Sequence, residues 1–147
     1  DIHEYLLENK VTLDNTGEQY LYHAPCHDPI KSEDSSKVIN KLMNTEVISN
    51  DRCCGEAGTF AVARPDIAKQ VKFRKEKEIK KDLVQVQNTK PTKLLTTCPA
   101  CRQGLSRYKS SNNIEPIYPI ELIAEQQLGK NWRKDFIQSA KVEKVLL

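Results

Sequence analysis

Three short segments carry all five cysteines of this 147-residue chain: "PCHD" with Cys26, "RCCGEAG" with Cys53, Cys54 and Gly55, and "TTCPACR" with Cys98 and Cys101. Adjacent cysteines rarely bond to each other, because the small ring strains the peptide and misses disulfide geometry. The odd count also argues against a secreted disulfide framework. Clustered thiols in an intracellular chain point to metal binding or redox chemistry, so the expected location is cytoplasmic. Zinc would take four thiolates and leave one spare. An iron–sulfur cluster also takes cysteine thiolates, commonly four. Neighbouring side chains diverge, so Cys53 and Cys54 reach different metal atoms of one cluster more readily than they reach one small ion. The C-x-x-C of Cys98 and Cys101 read alone equally fits a thiol–disulfide pair, but that leaves Cys26, Cys53 and Cys54 unexplained.

The residues around the thiols add to this reading. Gly55 lets the backbone turn sharply against a ligand, and Gly58 is expected to do the same. Backbone N–H groups in such a turn can hydrogen-bond to sulfur and tune a reduction potential. Cys98 precedes a helix start, where the dipole favours thiolate. His23 and His27 flank Cys26. His27, in the ligand loop, is a candidate cofactor-binding or proton-carrying residue, whereas His23 reads as packed or hydrogen-bonded in the core. Asp28, Glu56 and Arg102 share these loops, and Arg102 reads equally as an offset to cluster charge or as half of a surface salt bridge.

What must position these loops is a set of alternating strands and helices. A helix is expected over residues 1–9, a strand over 18–24, a helix over 36–44 capped by Ser35 or Ser36, and a strand over 46–49. The longest helix spans 66–84, with Ile67, Val71, Ile79 and Leu83 as its buried stripe. Lys75 falls on that stripe and is expected to snorkel to water. The other charges between Lys69 and Lys81 read as a solvated face. A third strand over 92–98 runs into a helix over 99–109, a fourth strand blunted by prolines covers 115–120, and two helices follow over 120–128 and 131–140, split by Gly129. "VEKVLL" at the end fits no single element. The fold class is therefore α/β, with a mostly parallel sheet and flanking helices. Each cysteine segment then falls just beyond the carboxyl end of a strand, the edge where open parallel sheets bind ligands.

Composition narrows the function classes. The length suits one domain, residues 1–147, with enough chain for a core without disulfide staples. A net charge of +3 from 23 basic and 20 acidic residues is too balanced to argue for nucleic acid. No apolar run suits direct membrane insertion. The chain starts at Asp1 and its single Met is Met43, which reads as an excised, C-terminal piece of a larger protein. No dinucleotide fingerprint is present, so FAD is expected only in parent domains outside these residues.

The order C…CCG…CxxC, carried by "YHAPCHDP", "RCCGEAGTFAVARPDIA" and "TTCPACRQGLSRY", resembles the cysteine-rich CCG domain. That family occurs in heterodisulfide reductase and in the iron–sulfur subunit of glycolate oxidase. The likeness is strongest to the C-terminal part of large FAD-linked oxidases of the D-lactate dehydrogenase kind. The resemblance implies that Cys26, Cys53, Cys54, Cys98 and Cys101 hold an unusual, non-cubane 4Fe–4S cluster. Family versions lacking one cysteine can hold zinc. It implies an electron-transfer domain of a flavin-linked oxidoreductase acting on 2-hydroxy acids of the lactate or glycolate type. The implied partners are a flavin-binding domain or subunit and a ferredoxin-like domain. The parent protein would then place the domain at the cytoplasmic face of the membrane. A zinc-stabilised docking module and a Cys98/Cys101 redox domain stand as alternatives.

Overall fold

A computed structural model describes residues 1–142 apart from 32–33, 57–59 and 88–89. Gly58 and residues 143–147, which include most of the terminal "VEKVLL", lie outside the described residues. The described elements are α1 (Ile2–Glu8), β1 (Leu21–Tyr22), α2 (Ser35–Met43), β2 (Ile48–Ser49), α3 (Phe60–Ala63) and α4 (Pro65–Leu83). They continue with β3 (Thr92–Leu95), α5 (Pro99–Ser106), α6 (Lys109–Asn112), β4 (Ile114–Ile117), α7 (Pro119–Leu128) and α8 (Trp132–Val142).

The four strands form one sheet in the order β2-β1-β3-β4, and every pairing is parallel. This is the α/β architecture expected from the alternation of elements. From β1 the chain steps outward to β2 on one side, then returns past β1 to build β3 and β4 on the other. The strand order therefore reverses between β1 and β3, which is where such sheets open a crevice at their carboxyl ends.

The period of two along each strand splits the core into two layers. Tyr20, Tyr22 and Leu95 face a cluster with Val38, Ile39, Leu42 and Met43 of α2 and Leu122 and Ile123 of α7. Leu21, Leu94 and Ile114 face the other way, onto Ile79 of α4 and Leu105 of α5. Cys54 and Cys101 belong to this second layer. Burying side chains such as Leu94 and Leu95 stabilises the sheet by about 2 kcal/mol each before ordering costs.

Local signals account for most element ends. Asn44 adopts a left-handed φ of 51° and closes α2. Gly129, with φ 86°, separates α7 from α8 as expected. Pro65, Pro99 and Pro119 open their helices, where a missing N–H costs nothing. Two expectations need correction. The cap of α2 is Asp34, not Ser35 or Ser36; its carboxylate accepts from the Ser36 amide at 2.8 Å. An aspartate also suits the positive end of the helix dipole. Asp34→Ala is expected to cost about 1 kcal/mol of stability, read as a lower urea midpoint with an unchanged slope.

The second correction concerns α4. Its buried residues are Ala68, Lys75, Ile79 and Asp82, while Ile67 is exposed. Lys75 does not snorkel: it is fully buried beneath the carboxyl edge of the sheet, with a polar environment of its own.

Candidate metal centre

The strand ladder continues one residue past the regular strands. His23 donates its amide to the Leu95 carbonyl at 2.8 Å, Asn50 to Tyr22 at 2.7 Å and Thr96 to Ile117 at 3.2 Å. His23, Asn50 and Thr96 thus end β1, β2 and β3 in register, and all three are buried polar residues on one edge. The chain then leaves each strand into a cysteine segment. Cys26 follows β1, Cys53 and Cys54 follow β2, and Cys98 follows β3 as the N-cap of α5, with Cys101 in its first turn.

All five cysteines line one chamber of about 80 Å³, closed by Pro25, His27 and Ala100. Cys54 and Cys101 are buried at its floor, Cys98 is half-buried, and Cys26 and Cys53 are exposed at its mouth. None is in a disulfide. The Cys54 and Cys101 sulfurs stand 3.5 Å apart, far beyond a disulfide bond of about 2.05 Å. The volume is well below the roughly 300–1,000 Å³ that organic ligands occupy. A chamber of that size lined mainly by thiols fits a compact inorganic centre and is too small for a flavin.

Backbone donors already point at the sulfurs. The Gly55 amide donates to Cys53 Sγ at 3.3 Å, and the Cys101 amide to Cys98 Sγ at 3.5 Å. Gly55 has φ +73°, and the turn it makes carries Cys53 and Cys54 from the rim towards α4. Gly104 has a different role. A Cβ there would meet Glu56 Cβ at 2.9 Å, so its bareness lets α5 lie against the Cys53–Cys54 loop. Glu56 in turn pairs with Arg107, tying that loop to the end of α5.

The thiols do not behave alike. The hydrogen bond with Cys101 pulls the Cys54 thiol down to about 4, against its burial, with the His23 ring adding to the effect. The same contact pushes the Cys101 thiol up, reinforced by burial. At neutral pH the pair therefore shares one proton and presents one thiolate. Withdrawal from water and the neighbouring Cys53 sulfur push Cys26 up.

His23, expected in the core, is buried there, with Nδ1 3.1 Å from the Asn50 carbonyl oxygen. It is also beside the thiols: one of its ring nitrogens lies within 4.8 Å of the Cys54 and Cys101 sulfurs. Its Nε2 is buried without a hydrogen-bond partner among the described residues. His27 lines the chamber near the mouth and is exposed. Arg102 takes the salt-bridge alternative, with Nη1 3.0 Å from Glu121 and its guanidinium 4.6 Å from the centre of the Tyr118 ring. Lys75, Asn50 and Asp82 are site neighbours that the sequence does not single out. The one signal for them is a charged residue on the apolar stripe of α4.

Residues 20–106 match the profile of the CCG family, the cysteine-rich domain. The chain belongs to this family. All five cysteines and the chamber they line fall within the matched CCG stretch. Residues 106–147 match a domain of unknown function, DUF3400, which here supplies α6, β4, α7 and α8. The chain is 29% identical over 114 residues to the glycolate oxidase iron–sulfur subunit of Escherichia coli K12, covering 74% of this chain and 25% of that protein. It is 26% identical over 133 residues to a subunit of the fumarate reductase (CoM/CoB) of Methanothermobacter marburgensis, covering 78% and 26%. An uncharacterized iron–sulfur protein of Methanococcus maripaludis is 28% identical over 112 residues, covering 67% and 21%. The CCG chain thus spans about a quarter of the length of these curated relatives. No solved structure matches it. Among the described residues, no helix is long and apolar enough to cross a membrane.

Proposed function

We propose that this CCG domain holds an iron–sulfur cluster through Cys26, Cys53, Cys54, Cys98 and Cys101 and serves as an electron-transfer unit of a larger cytoplasmic oxidoreductase. One observation carries the reading: three loops far apart in sequence bring five sulfurs to one small chamber at the switch point of the sheet. The iron–sulfur naming of the relatives supports it. When bound, such a cluster takes up and releases electrons at a potential set by its charge, its hydrogen bonds and its exposure.

The chain's own residues have separable tasks in this reading. Cys54 and Cys101 anchor the buried side, and Cys26 and Cys53 close the exposed side, where an electron partner can approach. The amides of Gly55 and Cys101 soften the negative charge on Cys53 and Cys98. His27, at the mouth, is positioned as an outer hydrogen-bond donor or proton carrier. Five thiolates exceed the needs of a cubane with four ligands, which favours the non-cubane 4Fe–4S form. Similarity to the glycolate oxidase subunit supports a parent system in which a flavin-binding domain or subunit oxidises a 2-hydroxy acid and hands its electrons on.

A zinc ion is the second reading, favoured by the trio His23, Cys54 and Cys101, whose donor atoms lie within 4.8 Å of one another. Anaerobic reconstitution separates the two. The chain is incubated with ferrous iron and sulfide, desalted, and assayed for iron, acid-labile sulfide and zinc. The expected product is brown, with about four iron and about four sulfide per chain. A colourless product that carries zinc and takes up neither iron nor sulfide overturns the cluster reading.

A further inference from the structure

Lys75 sits at the centre of α4 with no exposed surface. An ammonium in such a place must be neutralised or fully hydrogen-bonded. Its three donors meet three acceptors: Asn50 Oδ1, His23 Nδ1 at 2.9 Å and the Asn50 carbonyl oxygen at 3.5 Å. Asn50 Nδ2 donates to Asp82 Oδ2, which fixes the amide so that its oxygen faces Lys75. Asp82 lies two turns along α4 on the same face, and is itself buried. Burial lowers the Lys75 pKa to about 8, so it stays mostly charged at neutral pH.

The ammonium settles the histidine tautomer. A lysine ammonium can only donate, so Nδ1 of His23 accepts and the ring proton sits on Nε2. The Asn50 carbonyl oxygen, 3.1 Å from Nδ1 and 3.5 Å from the ammonium, then accepts from Lys75 and not from the ring. The Nε2–H is buried and has no partner among the described residues, while the ring stands within 4.8 Å of the Cys54 and Cys101 sulfurs. The line of groups runs Asp82, Asn50, Lys75, His23 and then the floor of the thiol chamber. Each member comes from a different element except Lys75 and Asp82, which share a helix face.

We infer that Lys75 is the counter-charge of the thiol chamber and orients His23 so that its Nε2–H faces the centre the thiols hold. The inference rests on the iron–sulfur reading above. Lys75 is a positioning and tuning residue; it contacts no sulfur in the network described. A fixed positive charge favours the more negative, reduced state, so Lys75 raises the reduction potential, and Asp82 lowers it.

The test is the midpoint potential of the anaerobically reconstituted chain, with Lys75→Met and Asp82→Asn compared to the unaltered protein. Lys75→Met is expected to shift the oxidised-to-reduced ratio at least tenfold towards oxidised at a given potential, about 59 mV downward for a one-electron couple. Asp82→Asn is expected to shift it the other way. Lys75→Arg, which keeps the charge, should stay nearer the unaltered value than Lys75→Met. Opposite signs are the signature, because mere loosening of the fold would move both variants alike. If Lys75→Met does not fold by circular dichroism, Asp82→Asn alone decides through the sign of its shift. A loaded chain whose variants keep the same potential, or move in one direction together, overturns the inference and leaves the cluster reading intact. An unaltered chain that takes up no iron and sulfide overturns the cluster reading first, and this inference with it.

Discussion

Cys54→Ser is expected to leave a folded chain that no longer retains iron. Cys54 lies at the buried floor of the chamber, 3.5 Å from Cys101, and is the thiol held most readily as thiolate. A serine hydroxyl keeps its proton at neutral pH and offers a hard oxygen where soft metals take sulfur. Changing outer-shell partners of a metal site costs roughly 10–100-fold in affinity; loss of a ligand at the floor should exceed about 100-fold. The fold should persist, because serine fits the same volume and the substitution falls in the ordinary range of about 1 kcal/mol. Iron per chain after reconstitution and desalting, read beside the far-ultraviolet circular dichroism, checks both halves. Stoichiometric iron with an unchanged spectrum would remove Cys54 from the ligand set.

Gly55→Ala should damage fold and site together. The residue has φ +73°, a region that costs an L side chain roughly 1–2 kcal/mol. An added Cβ would also stand 3.2 Å from Val71 Cγ1 and 3.6 Å from Lys72 Cγ, both on α4. The Val71 side chain must give way, which loosens the packing of α4 against the Cys53–Cys54 loop. The combined cost is about 2 kcal/mol, a fall of roughly 6 °C in melting temperature for a domain of this size. Gly17→Ala is the control, since Gly17 has φ +72° but nothing among the described residues within 4 Å of the added Cβ. Urea titrations of both variants should show the larger loss at Gly55, with reduced iron loading there alone. Equal losses would mean that the approach of Val71 does not matter.

Much of the fold was readable because its signals are local. Short apolar runs in "YLYH" and "KLLT" mark strands, prolines mark helix starts, and Gly129 marks a break. The placing of the cysteines after strand ends needed only chain order and the behaviour of parallel sheets. What was not readable depends on partners distant in sequence. Lys75 occupies a core position because residues 23 and 50 arrive at the same edge with the right acceptors. Stripe arithmetic puts its Cβ inside, and a lysine's long stem makes escape to water the default expectation. Only the tertiary arrangement shows that there is no route out. Ile67 failed in the opposite way: the stripe includes it, but its neighbour Ala68 takes the buried position in that turn and leaves Ile67 exposed. Asp34 and Ser35 are both good caps, and the choice turns on which side chain reaches the second free amide.

The claim that one centre engages all five sulfurs is tested most directly by cysteine footprinting of the reconstituted chain. The loaded protein is treated anaerobically with iodoacetamide, digested, and each cysteine scored by mass spectrometry before and after the metal is removed by chelation. Cys26 and Cys53 are the informative positions, because both are exposed and would react quickly if uncoordinated. Protection of all five thiols while metal is bound, and labelling of Cys26 and Cys53 once it is removed, is the predicted result. Rapid labelling of Cys26, or of Cys98, in protein that still carries its full iron and sulfide would contradict it.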